Sequence, residues 1–263
     1  MTSSNDNGFE IVFLGDVVGL NALNAVIDFA SKEESVFKVV NVENVAKGFG
    51  IGEDSYKKLT SAGFSLFSGG NHIWDNKEIF NFIDRSKIAR PYNYPKGTPG
   101  KGYSFEEKNG VKVALINLLG RVFMNVSSLN CPFRAADEAL EEVRSLRPDI
   151  IVVDIHAEAT AEKLALAKYL DGRVSLVVGT HTHVQTADEL ILPGGTAYIT
   201  DLGACAPKNS VLGMSFQSVL PKFLTGLPSK MQVANGDEGI NICGVRCCFD
   251  DKFKAKQIIR INY

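Results

Sequence analysis

The sequence predicts an α/β protein with mixed β-sheets, two of them packed face to face. Three observations predict it. Apolar, β-branched runs alternate with helix-period stretches over the first two thirds of the chain, the rhythm of β-α-β units with much parallel sheet. The last quarter changes to a strand, a loop and a helix-like stretch, then a long two-strand meander with no crossover helix, which requires antiparallel pairing as well. No internal repeat, low-complexity tract or long linker interrupts the 263 residues, so one domain is expected over 1–263, with a polar extension at 1–8.

Taken in order, strands are expected at 9–14, 37–42, 64–67, 111–117, 150–155, 174–178, 196–200, 239–249 and 254–261. Most are rich in Val, Ile or Phe, while TAYIT at 196–200 has Thr, Tyr and Ile. Helices are expected at 20–31, 53–62, 76–84, 136–146 and 159–170. Leu23, Val26 and Ile27 form an apolar stripe on the first, and Ala139, Leu140 and Val143 form one on the fourth. The loop RPYNYPKGTPGKG, 90–102, is the segment richest in Pro and Gly and is expected to cross the surface. Its tyrosines, Tyr92 and Tyr94, and the neighbouring Tyr103 are read as packing residues rather than as base-stacking ones.

Composition excludes several classes. A formal net charge of -2 with 22% charged residues argues against a dedicated nucleic-acid binder or an electrostatic membrane clamp. The N-terminal MTSSNDNG lacks the apolar core of a signal peptide, and no apolar run approaches the roughly 20 residues that span a bilayer. The five cysteines include no CxxC pair and read as reduced thiols in a cytoplasmic protein. Cys243, Cys247 and Cys248 fall in an apolar stretch and read as small hydrophobes.

The chemistry-bearing residues gather at strand ends. FLGDVVG presents Asp16, VVNVENVAKG presents Glu43 and Asn44, and FSGGNHIWD presents Asn71 and His72. VVDIHAEAT presents His156, and VVGTHTHVQ presents His181 and His183. Carboxyl ends of strands are where open α/β sheets build ligand sites. A lone histidine after a strand is ordinarily a satisfied loop or core residue, and a lone Asp after Gly is ordinarily a turn or cap. Here all 4 histidines lie in such positions, beside acids and amides, and turn chemistry does not account for that. Imidazole, carboxylate and amide oxygen without thiolate suit Mn, Fe, Zn or Ni. Two divalent ions against two carboxylates leave a cationic site that attracts phosphate and acidifies bound water.

Other motifs fail on spacing. Gly48, Gly50 and Gly52 do not make GxGxxG, and GTPGKGY is not a P-loop. HAEAT is not the zincin HExxH, and no serine sits in GxSxG.

The strings GDVVG, NxEN, GNHxWDxKEI, RPxNxPxGTPGKG, HAEATxEKLAL and GTHTHVQTAD resemble the YmdB-like branch of the calcineurin-like metallophosphoesterases, bacterial 2′,3′-cyclic-nucleotide phosphodiesterases. The resemblance runs from about Gly15 to Gly213 and weakens over 214–263. The sequence departs from the wider superfamily at Val18, where Asp-x-His is usual, at the stretch Asn41, Val42, Glu43, Asn44, and at Ile73, where an acid usually follows the histidine.

The resemblance implies a four-layer fold, two mixed sheets packed as a sandwich flanked by helices. It implies two metal ions, iron and/or manganese. Asp16, Asn44 and His183 would bind the first, Asn71, His156 and His181 the second, and Glu43 would bridge them. A bridging hydroxide would attack the cyclic phosphodiester, and His72 would protonate the leaving 2′ oxygen to give a 3′-nucleotide. Asp75 is expected to be a helix N-terminal acid more readily than a partner of His72. The partner implied is a small cyclic nucleotide, with no membrane and no stable nucleic-acid complex, and homo-oligomerisation is left open. A phosphomonoesterase or broad phosphodiesterase at the same centre, or a metal-containing regulatory protein, remains as an alternative.

Overall fold

The computed structural model describes residues 8–33 and 36–263, so the polar extension at 1–8 lies, except for Gly8, outside the described residues. Fourteen strands occur among the described residues: β1 (Phe9–Val17), β2 (Phe37–Asn41), β3 (Phe64–Ser68), β4 (Ile88–Ala89), β5 (Tyr103–Lys108), β6 (Val111–Leu119), β7 (Ile150–His156), β8 (Leu176–Thr180), β9 (Leu190–Ile191), β10 (Ala197–Ile199), β11 (Ala204–Pro207), β12 (Ile240–Asn241), β13 (Cys243–Phe249) and β14 (Ala255–Asn262). Five α-helices accompany them: α1 (Gly19–Ser31), α2 (Glu53–Ser61), α3 (Pro132–Arg144), α4 (Thr160–Leu170) and α5 (Phe216–Thr225).

Two mixed sheets result. The eight-stranded sheet runs β12-β11-β1-β2-β3-β4, with β13 pairing antiparallel to β1 and to β14. The six-stranded sheet runs β5-β6-β7-β8-β10-β9. Pairs joined through helices, such as β1 with β2 and β7 with β8, are parallel, because a strand that returns through a crossover helix points the same way.

Period-two alternation sorts the strand side chains into layers. Ile11 and Phe13 of β1 pack with Val113 and Leu115 of β6, Val152 of β7 and Val178 of β8, filling the space between the sheets. Val12 and Leu14 turn the other way, onto Ala22, Leu23 and Val26 of α1 and Leu59 of α2. Ile116, Val153 and Val177 face Ala139 and Leu140 of α3 and Leu166 of α4. Helix, sheet, sheet, helix is therefore the layer order. Burying each such Leu, Ile, Val or Phe side chain contributes roughly 1.5–3 kcal/mol.

The same alternation prepares the site. Along β7 the inter-sheet positions read Ile150, Val152, Asp154, His156, and along β8 they read Leu176, Val178, Thr180. On β2 they read Phe37, Val39, Asn41. The inter-sheet core thus turns polar at the carboxyl ends of its parallel strands while its residues stay fully buried.

Several expected elements differ in detail. The helix expected at 76–84 is two 3-10 turns, Lys77–Asn81 and Ile83–Arg85, because Phe82 at φ -139° breaks the helical run between them. The strand expected at 239–249 is interrupted at Ile242, where the chain leaves β11 and takes up β1 and β14. Helix α3 starts four residues earlier than the expected 136, at Pro132, whose fixed φ suits a first helical position. Strands β4, β5, β9 and β11 lacked a sequence signal; β5 is an edge strand whose YSFEEK carries charges that an edge tolerates. Among the described residues no helix is long and apolar enough to cross a membrane.

Candidate metal centre

Gly15 sets the first residue of the site. The β1–β2 register shifts between Leu14 and Asp16, and a Cβ on Gly15 would run into the carbonyl of Gly203. The bulge shifts the alternation, so that Val17 joins Val12 and Leu14 on the helix side and Asp16, still paired with Asn41 and Ala204, takes the opposite face. There its Oδ2 accepts the His181 amide at 3.2 Å, while Oδ1 is buried with no hydrogen-bond partner and lies 3.8 Å from His183 Nε2.

Glu43 and Asn44 follow β2. Glu43 Oε1 is 2.9 Å from His156 Nε2, and its Oε2 accepts the His72 amide at 2.8 Å. Asn44 donates from Nδ2 to Gly48 O at 2.9 Å, which leaves its Oδ1 buried and unpartnered. Gly70 after β3 has to be glycine, because a Cβ there would overlap the Glu43 carboxylate and the His156 ring.

Each of three histidines has one ring nitrogen tied to oxygen and the other turned toward these groups. Thr180 donates its hydroxyl to Asp154 Oδ1 at 2.7 Å, so it accepts from His156 Nδ1 at 2.9 Å. His156 Nε2 is then left with a lone pair, facing Glu43 Oε1 at 2.9 Å, Asn71 Oδ1 at 3.0 Å and His181 Nδ1 at 3.1 Å. His181 directs Nε2 to Glu158 Oε2 at 3.1 Å, which leaves its Nδ1 for the same point. His183 donates from Nδ1 to Leu212 O at 3.1 Å, which frees Nε2 toward Asp16. Metal-binding histidines are held in this way, one nitrogen donating to an oxygen and the other carrying the lone pair.

Electron-pair donors that converge with no proton to share among them repel unless a cation joins them. Glu43, His156 and His181 place a ligand atom each within 4.8 Å of one another, the one such group of His, Cys, Asp or Glu among the described residues. Burial pushes the Asp16 and Glu43 carboxyls up, and pushes the His156 and His181 imidazoles down to about 3. Neutral imidazole is the form a metal takes, and a bound cation would reverse the penalty on the two acids. The orphaned Asp16 Oδ1 and Asn44 Oδ1 fit the same need.

His72 stands apart from this cluster. Its Nδ1 is 2.8 Å from Asp75 Oδ2, and Phe49 meets its ring edge-on with centroids 5.0 Å apart. Asp75 is therefore a partner of His72, against the expectation that favoured a helix-terminal acid. The cap at that point is Asn76, whose side chain accepts from Glu78 N. Tyr94 packs edge-on against Trp74 and Tyr92 donates to Glu142, so both tyrosines have packing partners. Val18, which replaces the usual histidine, is fully buried against Ala204 and Ala206.

The His181 and His183 backbones have φ of 99° and 65°, left-handed values that cost a non-glycine residue on the order of 1–3 kcal/mol each. Sequence reading did not identify Thr180 and Glu158, which meet His156 and His181, or Asp154 and Asp201, which hold Thr180 and Thr182. The signal available for Asp154 was strand parity, two residues before His156, and Thr180 adds to that parity, two residues after Val178, a place in the string GTHTHVQTAD.

The sandwich and the gathered imidazole, carboxylate and amide groups define a metallophosphoesterase-like hydrolase. Comparison with known proteins agrees. A 2′,3′-cyclic-nucleotide 2′-phosphodiesterase of Bacillus subtilis (strain 168) is 46% identical over 257 residues, 95% of this chain and 96% of that protein. The crystal structure of a novel phosphatase from Mycoplasma pneumoniae superposes with TM-score 0.89 at 32% identity, covering 98% of this chain and 94% of that one. A hypothetical protein from Thermus thermophilus superposes with TM-score 0.90 at 39% identity, covering 97% of this chain and 99% of that one. The chain belongs to the YmdB-like protein family, whose model matches residues 12–261, within the calcineurin-like superfamily. The match passes residue 213, beyond which the resemblance read from the sequence weakens.

Proposed function

We propose that the chain is a binuclear metal-dependent phosphodiesterase that opens 2′,3′-cyclic nucleotides to 3′-nucleotides. The observation that carries the reading is the convergence of Glu43, Asn71 and His181 on His156 Nε2, at 2.9, 3.0 and 3.1 Å, beside a histidine that takes no part in it. The Bacillus subtilis relative, a 2′,3′-cyclic-nucleotide 2′-phosphodiesterase 46% identical over nearly the whole chain, supports the substrate class.

In this reading Asp16, Asn44 and His183 would hold one ion, Asn71, His156 and His181 would hold the other, and Glu43 would serve both. The nitrogen and oxygen donor set, without thiolate, suits iron and/or manganese. When bound, the pair of cations supplies an acidified water as nucleophile and neutralises charge on the phosphoryl oxygens.

His72 does the proton work. Asp75 accepts from its Nδ1, which fixes the ring and keeps Nε2 as the atom that can deliver a proton. Nε2 donates to the departing ribose 2′ oxygen, and the phosphate stays on the 3′ oxygen. General acid assistance of this kind is worth roughly 10²–10⁴ in rate. Glu43 joins the two functions, since one carboxylate oxygen faces His156 and the other holds the His72 backbone. Residues 1–263 serve as one domain in this account, and five unpaired thiols suit a reducing, cytoplasmic setting.

Product analysis after incubation with 2′,3′-cyclic AMP tests the proposal. A 3′-monophosphate product is expected. Hydrolysis of open phosphomonoesters alone would replace it with a phosphomonoesterase, and nucleotide binding without turnover in metal-loaded protein would favour a regulatory role.

A further inference from the structure

Lys163, in the first turn of α4, is fully buried, and its Nζ lies 2.6 Å from Oδ2 of the equally buried Asp201. A buried ion pair is weak as a source of stability, because desolvation offsets the attraction. What this pair holds is more informative.

Asp201 Oδ2 also accepts the Thr182 backbone amide at 3.2 Å and the Thr182 hydroxyl at 2.8 Å. Thr182 lies between His181 and His183, the two residues with left-handed backbones. The other oxygen, Oδ1, accepts the Gly203 amide at 2.8 Å, and the Gly203 carbonyl accepts the Asp16 amide at 3.2 Å. A single carboxylate therefore fixes the loop that presents both histidines and the turn that sets Asp16. Thr186 ties down the Asp201 main chain: its hydroxyl accepts the Asp201 amide at 2.9 Å, and its own amide donates to the Asp201 carbonyl at 3.1 Å.

We infer that the Lys163–Asp201 pair is a positioning device, which holds Thr182 so that His181 and His183 keep their strained backbones and present their lone pairs together. The inference rests on the reading of those histidines as metal ligands. Lys163 holds Asp201 in place, Asp201 pins Thr182, and Thr182 holds a loop that would otherwise relax to ordinary φ values. The strain is stored in the polypeptide, before any ion arrives, and is the cost of a preorganised site.

Lys163→Met leaves a buried, unpaired carboxylate and risks the fold, so the test uses Thr182→Val, which keeps the side-chain shape and removes the hydroxyl. Mn²⁺ binding to chelator-stripped protein is measured by calorimetric titration, and melting of the metal-free form is measured alongside. Thr182→Val should weaken Mn²⁺ binding by roughly 10–100-fold, the range found when groups behind metal ligands are removed. Its metal-free melting temperature should be unchanged or raised, because the loop is released from strain. Thr182→Ser should restore binding. Wild-type affinity in Thr182→Val, or a Thr182→Ser variant as weak as the valine, would overturn the positioning role. Failure of the wild type itself to bind Mn²⁺ would overturn the metal-site reading and this inference with it.

Discussion

Asp75 Oδ2 sits 2.8 Å from His72 Nδ1, three residues along the chain, so the acid fixes the rotation of the imidazole and leaves Nε2 as the nitrogen without a partner on this side. The ring is further steadied by Phe49, and its main chain by Glu43. A histidine held on three sides and kept out of the donor cluster is suited to move a proton. Removing it should leave metal content unchanged. His72→Ala should therefore bind the same amount of metal as the wild type while kcat on 2′,3′-cyclic AMP falls by roughly 10²–10⁴. A metal-free variant, assayed by elemental analysis, would instead make His72 a ligand.

Asp75→Asn separates orientation from donation. The amide can accept from Nδ1 but no longer carries a charge to stabilise an imidazolium. Steady-state kinetics should show a fall in kcat with little change in KM. Wild-type kcat would return Asp75 to a purely local capping role.

Asp16 answers to two opposed demands. Burial raises its carboxyl pKa, so in metal-free protein the charge is a burden, and yet it is the charge a cation would use. Asp16→Asn should melt higher than wild type in chelator. It should also lose most of the stabilisation that added Mn²⁺ gives, which for a site at 100 times Kd is about 2.7 kcal/mol. Equal metal-induced shifts in both proteins would remove Asp16 from the ligand set.

Much of this arrangement was legible in the sequence. The β-α-β rhythm and the C-terminal meander pointed to mixed sheets, the strand ends presented the eight candidate residues, and the resemblance implied the four-layer order. The sites of failure share a cause, because each depends on what lies across space rather than along the chain. Strand β11 is the four-residue ACAP, made a strand by pairing with β1 beyond the Gly15 bulge and with β12. Residues 76–84 have helical composition, but Asn76 and Phe82 confine them to 3-10 turns. Glu158 and Thr180 lie within the strings HAEATxEKLAL and GTHTHVQTAD and Asp201 lies outside them all, but the roles of the three appear only when neighbouring strands and loops bring them to His181, His156 and Thr182.

Asp154 gives a pH signature. Burial pushes its carboxyl up from 3.8 to about 7, so over that interval the folded protein retains a proton that the unfolded chain has released. The associated stability is complete below the unfolded value and is lost as pH rises through about 7. In chelator, the stability of wild type relative to Asp154→Asn should therefore decline as pH rises from about 4 to 7. Denaturant melts at several pH values check this, and a difference that stays level or grows across the window would contradict the assignment.

The central claim is that these strand ends hold a pair of metal ions that serve phosphodiester hydrolysis. The most direct test is one sample, purified without chelator, in which metal content and turnover of 2′,3′-cyclic AMP are measured together. The account predicts two ions of iron or manganese per chain and formation of 3′-AMP, with both lost on chelation and both restored by adding metal. Protein that binds no metal after reconstitution with manganese or iron, or that hydrolyses the cyclic nucleotide equally well without it, would contradict the account.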